Sequence, residues 1–392
     1  MTTAEVVPSR IKTTDPLHEP WPLTEAEREV FRQRSRQSRR ARMAAINGSG
    51  LPPVHEINTP RFDPLALMPR RPGNSLSALS LFSGGGGLDL GFERAGFGHL
   101  GSWEILPDAA QTLRDARPAW SVYGGEAGDV RGVDWARYRG NAAVVHGGPP
   151  CQPFSHAGKQ RGEDDPRDMW PEFVRAVMGV QPDAFVAENV AALGTARFSE
   201  YVDRTIVRPL ARQYTIRQVM MQAYDYGVPQ SRRRIVFVGF RNRSLARNWV
   251  APTPTHRPLG AMDDGLPETM GMRKALGLPD IGVDDVCPTI RSALTGPRHT
   301  TSILNSVSAQ RVFEALKVWP NGVAPTREAA RAFVAKNGHF RLSVPDVALL
   351  QGFPESWRFA GAVYMQLGQI GNAVAPPVGY AVACSVADAF RK

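Results

Sequence analysis

The sequence predicts an α/β fold: a Rossmann-like, mostly parallel sheet covered by helices, with a second, smaller and irregular domain. Three observations lead to this prediction. Short apolar runs typical of buried strands alternate with stretches of helical spacing. The run "ALSLF" is followed by four glycines and then by "LDLGFERAG", the strand, turn and helix order of a nucleotide-binding unit. After about Pro252 this alternation is replaced by frequent turn residues.

Residues 1–75 form a distinct N-terminal arm that is rich in proline and arginine. Thr24 is a predicted helix cap, Glu25 lies in the first turn, and Gly48 ends the helix. Seven arginines fall between residues 28 and 42. The arm is either a phosphate-contacting segment or a solvated basic helix, and the sequence supports both interpretations equally.

Residues 76–250 carry the regular part of the pattern. The apolar runs "ALSLF", "AAVVHGG", "AFVAENV" and "RIVFVGF" predict four strands with helical stretches between them. Strands that alternate with helices favour a parallel sheet with both faces covered. Residues 251–361 predict the irregular domain, and residues 362–392 predict a small-residue, apolar helix that returns to the first domain.

The composition indicates a polyanionic partner. The chain has 392 residues, a formal net charge of +10 and 42% hydrophobic residues. Such an excess of basic residues favours nucleic acid, although a basic protein without a nucleic-acid partner fits the same charge. We find no apolar run of about 18 residues and no signal-peptide core at the N-terminus, so neither a membrane span nor secretion is predicted.

Three cysteines occur, Cys151, Cys287 and Cys384, and they are far apart in the chain. Without a CxxC pair or a cysteine–histidine cluster, the sequence predicts neither a metal site nor a disulfide framework, and we expect reduced thiols in the cytoplasm. Cys151 stands in "GGPPCQPFS", where prolines and glycines hold a loop in one shape after a strand. This stretch predicts either a reactive thiol on a rigid loop or a tight turn that buries a cysteine.

Several polar residues follow predicted strands, and we expect them at one edge of the sheet. Glu104 lies near the end of the second strand, where an acid commonly accepts ribose hydroxyls, and Asp129 lies where a third strand ends. Glu188 follows the strand after the loop that carries Cys151, and it is placed to hold a proton at a ring nitrogen. Arg232 and Arg234 face the same side of a strand, where they bind a carbonyl oxygen or form salt bridges.

Taken in order, the motifs "LFSGGGGLDLGFERAG", "GGPPCQPFS", "ENV", "QSRRRIVFVGF", "RLSVPDVALLQGFPESW" and "QIGNAVAPPVGYAVA" resemble those of the DNA (cytosine-5-)-methyltransferase family. The resemblance runs from about Ala78 to Ala387, and "PPCQPFS" and "QSRRR" are its most specific parts. One departure is Ser80, where many members of the family carry an acid. We expect this departure to have little consequence.

The resemblance implies a class I methyltransferase fold that binds S-adenosyl-L-methionine. It implies that Cys151 is the thiolate that adds to carbon 6 of cytosine, and that Glu188 bonds ring nitrogen 3. Arg234 then holds the carbonyl at carbon 2, with Arg232 in support. The residues implied to line the cofactor pocket are Phe82, Gly84, Gly86, Leu88, Glu104, Asp129, Pro150 and Asn372.

The substrate implied by the resemblance is a specific sequence in double-stranded DNA, from which the target cytosine is flipped out to reach the thiol. The polar loop after Cys151 resembles the family's loop over the flipped base, with Ser155 near the DNA backbone. Arg291, Arg298 and His299 are candidate base readers in the second domain, and phosphate contact is an equally good interpretation of each.

The resulting hypothesis is a bacterial, monomeric cytosine methyltransferase that protects host DNA from a cognate restriction endonuclease. Three alternatives stay open: a transfer-RNA cytosine methyltransferase, a non-catalytic DNA-binding relative and, from the glycine turn alone, a nicotinamide-dependent oxidoreductase. The intact Cys151, Glu188 and Arg234 argue against the second of these.

Overall fold

The computed structural model describes residues 56–151, 167–292, 300–332 and 339–391, together with Phe154, Asp165 and the isolated positions 25, 26, 29, 32, 33, 36 and 40. The isolated positions are helical, as the sequence predicts, and Arg32 pairs with Glu25 and Glu29 at 2.7 and 3.0 Å. The predicted site residues Ser155, Arg298 and His299 lie outside the described residues.

A seven-stranded sheet forms the centre of the molecule. Its strands are β1 (Ser77–Leu81), β2 (Gly98–Glu104), β3 (Val122–Gly124), β4 (Val144–Gly147), β5 (Ala184–Val190), β6 (Thr215–Gln222) and β7 (Arg233–Phe240). They lie in the order β3-β2-β1-β4-β5-β7-β6, with β7 antiparallel to β5 and β6 and the other neighbours parallel. The predicted Rossmann-like, mostly parallel sheet is confirmed, and the four apolar runs form β1, β4, β5 and β7.

Helices cover both faces of this sheet. They are α1 (Gly87–Arg94), α2 (Pro107–Ala116), α3 (Trp170–Val180), α4 (Ser199–Tyr201), α5 (Arg208–Leu210) and α6 (Arg243–Asn248), and a π-helical segment, Val202–Val207, joins α4 to α5. Along β7, Ile235 and Phe237 pack into one apolar cluster, while Val236 and Val238 pack into another. Because side chains alternate along a strand, the two clusters lie on opposite faces of the sheet.

A second, smaller lobe begins after the first 250 residues. It contains α7 (Met272–Ala275), α8 (Val307–Ala315), the parallel strands β8 (Val318–Ala324) and β9 (Phe340–Ser343), α9 (Arg327–Arg331) and α10 (Val344–Leu350). Most of its buried apolar side chains belong to a third apolar cluster, which extends to Trp357 and Leu367. A capping box starts α10, in which Ser343 and Asp346 bond each other's backbone N–H groups.

The chain closes with α11 (Val363–Asn372) and α12 (Pro376–Arg391), and α12 packs along α1. By length and composition, the stretch Val363–Arg391 is apolar enough to cross a membrane. However, 72% of its most apolar window is buried inside the fold, as in a core helix of a globular protein. Its apolar composition is thus accounted for by packing against the sheet and the second lobe.

The segment just before β1 packs against both parts of the molecule. Asn58 donates to the carbonyl of Leu276 and to the carboxylate of Asp346, each at 3.0 Å. Tyr380 in turn donates to the carbonyl of Pro69 at 2.7 Å. This segment therefore connects the second lobe to α12, while the predicted domain boundaries stay predictions.

Candidate active site

The carboxyl ends of β1, β2, β4 and β5 meet at one edge of the sheet, where α/β folds bind nucleotides. A cavity of about 420 Å³ opens at this edge. The predicted cofactor residues that line it are Phe82, Gly84, Leu88, Glu104, Asp129, Pro150 and Asn372. Lining the same cavity are Cys151, Glu188, Arg232 and Arg234, so the structure brings the predicted catalytic and cofactor residues together.

The glycine turn after β1 shapes one wall of the cavity. Gly86 has φ +81°, and a Cβ there would lie 2.6 Å from side-chain atoms of Leu113 and Trp357. Gly86 therefore packs against Leu113 and Trp357, and it does not line the cavity. Phe82 has φ +54°, a left-handed conformation that costs on the order of 1–3 kcal/mol. Strain of this kind is typical of residues held at functional sites.

Glu104 ends β2 and joins two backbone groups. Its carboxylate oxygens accept from the N–H groups of Gly84 and Leu106 at 2.6 and 2.8 Å. Burial raises the pKa of Glu104, and these two hydrogen bonds oppose that shift. The carboxylate is therefore fixed at the cavity wall, in the position where an acid accepts ribose hydroxyls.

Asp129 lies past β3 and caps a short 3₁₀ turn. Its carboxylate accepts from the Arg131 guanidinium at 2.9 and 2.6 Å, in a bidentate pair. The hydrogen bond from Arg131 holds the pKa of Asp129 below its ordinary value. The side chain is therefore an ionised acceptor at neutral pH, as contact with an exocyclic amine requires.

The loop that carries Cys151, called the thiol loop below, follows β4. Asn189 on β5 donates to the carbonyl of Pro149 at 3.0 Å and so fixes the loop from the neighbouring strand. Cys151 is partly exposed, whereas Cys287 and Cys384 are buried, so Cys151 is the accessible thiol of the three. Within the described ranges, no group of three or more histidines, cysteines and carboxylates could hold a metal ion.

Three charged groups surround Cys151. Burial raises the pKa of its thiol above the ordinary value. The positive charges of Arg234 and Arg232 oppose that shift, and the negative charge of Glu188 adds to it. The net effect favours the thiol form. The two guanidinium groups nevertheless make the thiolate more accessible than it would be with burial alone.

Glu188 and Arg234 form the central ion pair of the site. They lie on antiparallel neighbours, with Glu188 opposite Val236 and Arg234 opposite Val190. The Arg234 Nε lies 2.9 Å from Glu188 Oε1, and the two side chains are only 15% and 8% exposed. Burial raises the pKa of Glu188, and the positive charge of Arg234 opposes the shift. A buried acid of this kind suits proton exchange with a ring nitrogen.

Comparison with known proteins identifies the family. The chain matches a family model described as C-5 cytosine-specific DNA methylase over residues 76–270 and 289–387. The chain belongs to this family. Among its relatives, the Type II methyltransferase M.NgoMIV of Neisseria gonorrhoeae is 34% identical over 81% of this chain and 98% of that protein. The Type II methyltransferase M.NaeI of Lentzea aerocolonigenes is 32% identical over 79% of this chain and 74% of that protein.

Solved structures share the fold of this methyltransferase. A DNA modification methyltransferase encoded within an E. coli prophage has a TM-score of 0.54 at 25% identity, covering 81% of this chain and 100% of that one. The Dnmt2 methyltransferase of S. pombe has a TM-score of 0.51 at 16% identity, covering 79% of this chain and 98% of that one, and it supports the fold alone. As the resemblance implied, the protein is a DNA (cytosine-5-)-methyltransferase.

Arg232 of the methyltransferase contacts different partners from Arg234. Its Nη2 donates to the carbonyls of Gly371 and Ala373 at 2.9 and 2.8 Å. Burial lowers the pKa of Arg232 to about 9, so the side chain stays charged at neutral pH. Arg232, directly before β7, therefore bonds to the C-terminal end of α11 and to Ala373 after it, and its supporting role toward Arg234 stays a prediction.

Arg291 is the predicted base reader that lies within the described residues. A Cβ on Gly371 would lie 2.6 Å from the carbonyl carbon of Arg291 and 2.5 Å from the nitrogen of Ser292, so these backbones are in direct contact. Because Gly371 lines the cavity, this contact places Arg291 close to the candidate active site. Its role in base reading stays a prediction.

Arg167 and Asp89 are among the cavity-lining residues that sequence reasoning missed. The carboxylate of Asp165, which is buried, accepts from Arg167 at 2.8 and 2.6 Å. Asp89 is 3% exposed and accepts from the hydroxyl of Ser102 at 2.8 Å. In the sequence, Arg167 lies in "DDPRD" before a helix, and Asp89 is the acid in "GLDLG". Neither stretch indicated a site, because both resemble ordinary polar residues near turns.

Proposed function

We propose that this methyltransferase transfers a methyl group from S-adenosyl-L-methionine to carbon 5 of a flipped-out cytosine in a specific double-stranded DNA sequence. The observation that carries the proposal is the convergence of Cys151, Glu188 and Arg234 on the cavity that the glycine turn also lines. Its volume of about 420 Å³ lies in the range of ligand pockets.

The residues at the cavity fit S-adenosyl-L-methionine. Glu104 presents a fixed carboxylate for the ribose hydroxyls, and Asp129 presents an ionised acceptor for the exocyclic amine of adenine. Pro150 lines the cavity wall next to Cys151, where the cofactor and the flipped cytosine would meet. When bound, the cofactor supplies a methyl group carried on a positively charged sulfur.

Cys151 supplies the nucleophile. Its thiolate forms a bond to carbon 6 of the ring, and the electron pair of the 5,6 double bond moves toward carbon 5, which becomes nucleophilic. Once carbon 5 is methylated, water takes up the carbon 5 proton, the 5,6 double bond re-forms and the thiolate leaves carbon 6, while ring nitrogen 3 returns its proton to Glu188. Burial raises the pKa of Cys151, and the positive charges of Arg234 and Arg232 favour the thiolate because they oppose that rise.

Glu188 and Arg234 hold the ring during the attack. Arg234 donates to the carbonyl oxygen at carbon 2. Glu188 binds a proton more readily because burial raises its pKa, and it donates that proton to ring nitrogen 3. The charge that develops on the ring is thereby compensated in a buried site, where electrostatic interactions are stronger than in water.

DNA binding and biological role belong to the same proposal. The net charge of +10 supports phosphate contacts, which must offset the few kcal/mol that base flipping costs. We assign sequence recognition to residues 251–361, where Arg291 contacts the cavity-lining Gly371. The description of the relatives as Type II methyltransferases supports protection of host DNA from a cognate restriction endonuclease. A cytoplasmic monomer is the expected form.

Sequencing of bacterial DNA for 5-methylcytosine, with and without expression of this chain, tests the proposal. We expect methylation of one cytosine within one short sequence, because base contacts in the major groove discriminate between sequences. DNA from the expressing cells should then resist an endonuclease that cuts that sequence. A competition between duplex DNA and transfer RNA completes the test, and preferential methylation of the RNA would contradict the proposal.

The variant Cys151→Ser is expected to abolish methyl transfer, because a serine hydroxyl is a weak nucleophile without an adjacent base. Binding of the cofactor, measured by calorimetry, should stay near that of the wild type. Cys384→Ser, which changes a cysteine of α12 that does not line the cavity, is the control and should remain active. Methylation by Cys151→Ser at the wild-type rate would show that another group is the nucleophile.

A further inference from the structure

Both ends of the segment between the thiol loop and α3 contact one side chain, Tyr201. At the first end, the N–H of Phe154 donates to the carbonyl of Cys151 at 3.0 Å. The Phe154 ring is fully buried, and its centroid lies 4.9 Å from that of Tyr201 and 5.4 Å from that of Phe198. The backbone turn that carries the nucleophile is therefore anchored on Tyr201.

At the second end, the Tyr201 hydroxyl donates to Oδ2 of Asp168 at 2.6 Å. The N–H of Asp168 donates to the carbonyl of Asp165 at 2.8 Å, and the Asp165 carboxylate holds Arg167 in the bidentate pair. Arg167 lines the same cavity as Cys151 and is close enough for their charges to interact. The Tyr201 hydroxyl is thus connected to a cation at the active site.

The position of Tyr201 in its helix is unusual. It is 7% exposed and ends α4, directly before the π-helical segment Val202–Val207. Segments of π-helix are rare and frequently lie at functional sites. Here the change from α-helix to π-helix occurs at Tyr201, the residue that contacts both Phe154 and Asp168.

We propose that Tyr201 is a positioning residue of this methyltransferase. Its ring sets the Cys151 turn through Phe154, and its hydroxyl sets Arg167 through Asp168. The proposal rests on the proposed role of Cys151 as the nucleophile. Because rates fall steeply when reacting groups are displaced by about 1 Å, a residue that touches no substrate can control the rate.

The variant Tyr201→Phe tests the hydroxyl, since it keeps the ring. Tyr214→Phe is the matched control: Tyr214 is also buried in the same apolar cluster, donates to the carbonyl of Pro182 at 2.9 Å and does not line the cavity. We expect Tyr201→Phe to lower kcat about tenfold. The KM for the cofactor and the melting temperature should match those of the control.

A second readout does not depend on methyl transfer. The rate at which iodoacetamide alkylates Cys151, followed by mass spectrometry, reports the accessibility of the thiol, and the buried Cys287 and Cys384 are internal references. Tyr201→Leu, which removes the ring that contacts Phe154, should speed alkylation of Cys151 several-fold relative to Tyr214→Leu, because a looser turn relieves the burial that raises the thiol pKa. If kcat is the same in Tyr201→Phe and Tyr214→Phe, or if alkylation of Cys151 is the same in Tyr201→Leu and Tyr214→Leu, the proposal is overturned.

Variants of Asp168 test the route of the effect. Asp168→Asn keeps an acceptor oxygen for Tyr201 and should retain most of kcat, whereas Asp168→Ala should lose at least as much as Tyr201→Phe, because it also removes the acceptor of the Trp170 N–H. The double variant of Tyr201→Phe and Asp168→Ala should be no slower than Asp168→Ala alone, because the hydrogen bond that Tyr201→Phe removes is already lost in Asp168→Ala. Additive losses of kcat in the double variant would overturn the proposed connection between Tyr201 and Asp168. An active Cys151→Ser enzyme would instead refute the proposed function, and the alkylation comparison would still test the anchoring of the turn.

Discussion

At the residue scale, Asp89 brings a carboxyl group to the place where Ser80 departs from the family pattern. The hydroxyl of Ser80 lies 2.8 Å from that of Ser83, and Asp89 on α1 accepts from Ser102, the partner of Ser80 on β2. Burial raises the pKa of Asp89 to about 6. A carboxyl group thus reaches this part of the sheet from the helix, which gives a physical reason to expect little consequence from Ser80.

The variant Asp89→Asn is expected to stabilise the protein, measured without cofactor, above about pH 6. Burial disfavours the ionised carboxyl in the folded state, so at pH 8 the wild type loses about 3 kcal/mol of unfolding free energy relative to a neutral side chain. Below about pH 4 the group is protonated in both states and the difference disappears. Urea unfolding at pH 5 and pH 8 measures this trend.

Asp263→Asn is the control for this measurement, because the Asp263 side chain is 79% exposed. Its effect on the free energy of unfolding should be small at both pH values. If Asp89→Asn were no more stable than the wild type at pH 8, the carboxylate would have to be stabilised by its serine neighbours.

At the element scale, α1 and α12 approach each other through glycines. A Cβ on Gly91 would lie 2.5 Å from backbone atoms of Gly379 and Tyr380. Two helix backbones in direct contact leave no room for large side chains, which explains the small residues of "APPVGYAVA". Since α1 starts in the glycine turn, this contact places α12 behind the cofactor side of the cavity.

The variant Gly91→Ala is expected to lower the melting temperature. Alanine favours a helix over glycine by about 1 kcal/mol, but overpacking costs about 1–3 kcal/mol because the two helices must move apart. Gly132→Ala is the control, since a Cβ at Gly132 meets nothing within 4 Å. Calorimetry compares the two variants, and a higher melting temperature for Gly91→Ala would mean that the helices tolerate the added methyl group.

At the scale of the whole molecule, the residues before β1 join the two lobes. Asn58 bonds to the second lobe, and Arg71 pairs with Asp388 of α12 at 2.7 Å. Arg331 of the second lobe pairs with Glu56 at 2.9 Å. The basic arm therefore enters the folded body at the second lobe, on the side to which we assign sequence recognition.

If the arm contacts phosphates, replacing its seven arginines between residues 28 and 42 by glutamine will weaken duplex binding. The slope of log K against log salt concentration should fall by about 0.9 for each phosphate that the arm no longer neutralises. Fluorescence anisotropy over a salt series measures the slope. The double variant Ser35→Ala and Ser38→Ala keeps the charge of the arm and should keep the slope. An unchanged slope in the glutamine variant would identify the arginines as a solvated face.

Prediction from sequence succeeded where structure depends on neighbours along the chain. Apolar runs of five to seven residues identified β1, β4, β5 and β7, and the paired prolines before Cys151 predicted that the chain leaves β4 in a loop. The antiparallel direction of β7 was not predicted, because the alternation of side chains is the same in parallel and antiparallel strands. The contacts of Arg232 were missed because it precedes the first residue of β7, where the strand period no longer applies.

Local order along the chain was thus enough for the fold class and for the candidate set of Cys151, Glu188 and Arg234. Packing decided the rest: the antiparallel β7 that sets Glu188 against Arg234 at 2.9 Å, and the contacts of Tyr201 with Phe154 and Asp168. These contacts join residues that are far apart in sequence. Their distances depend on how strands and helices pack together, which no short motif specifies.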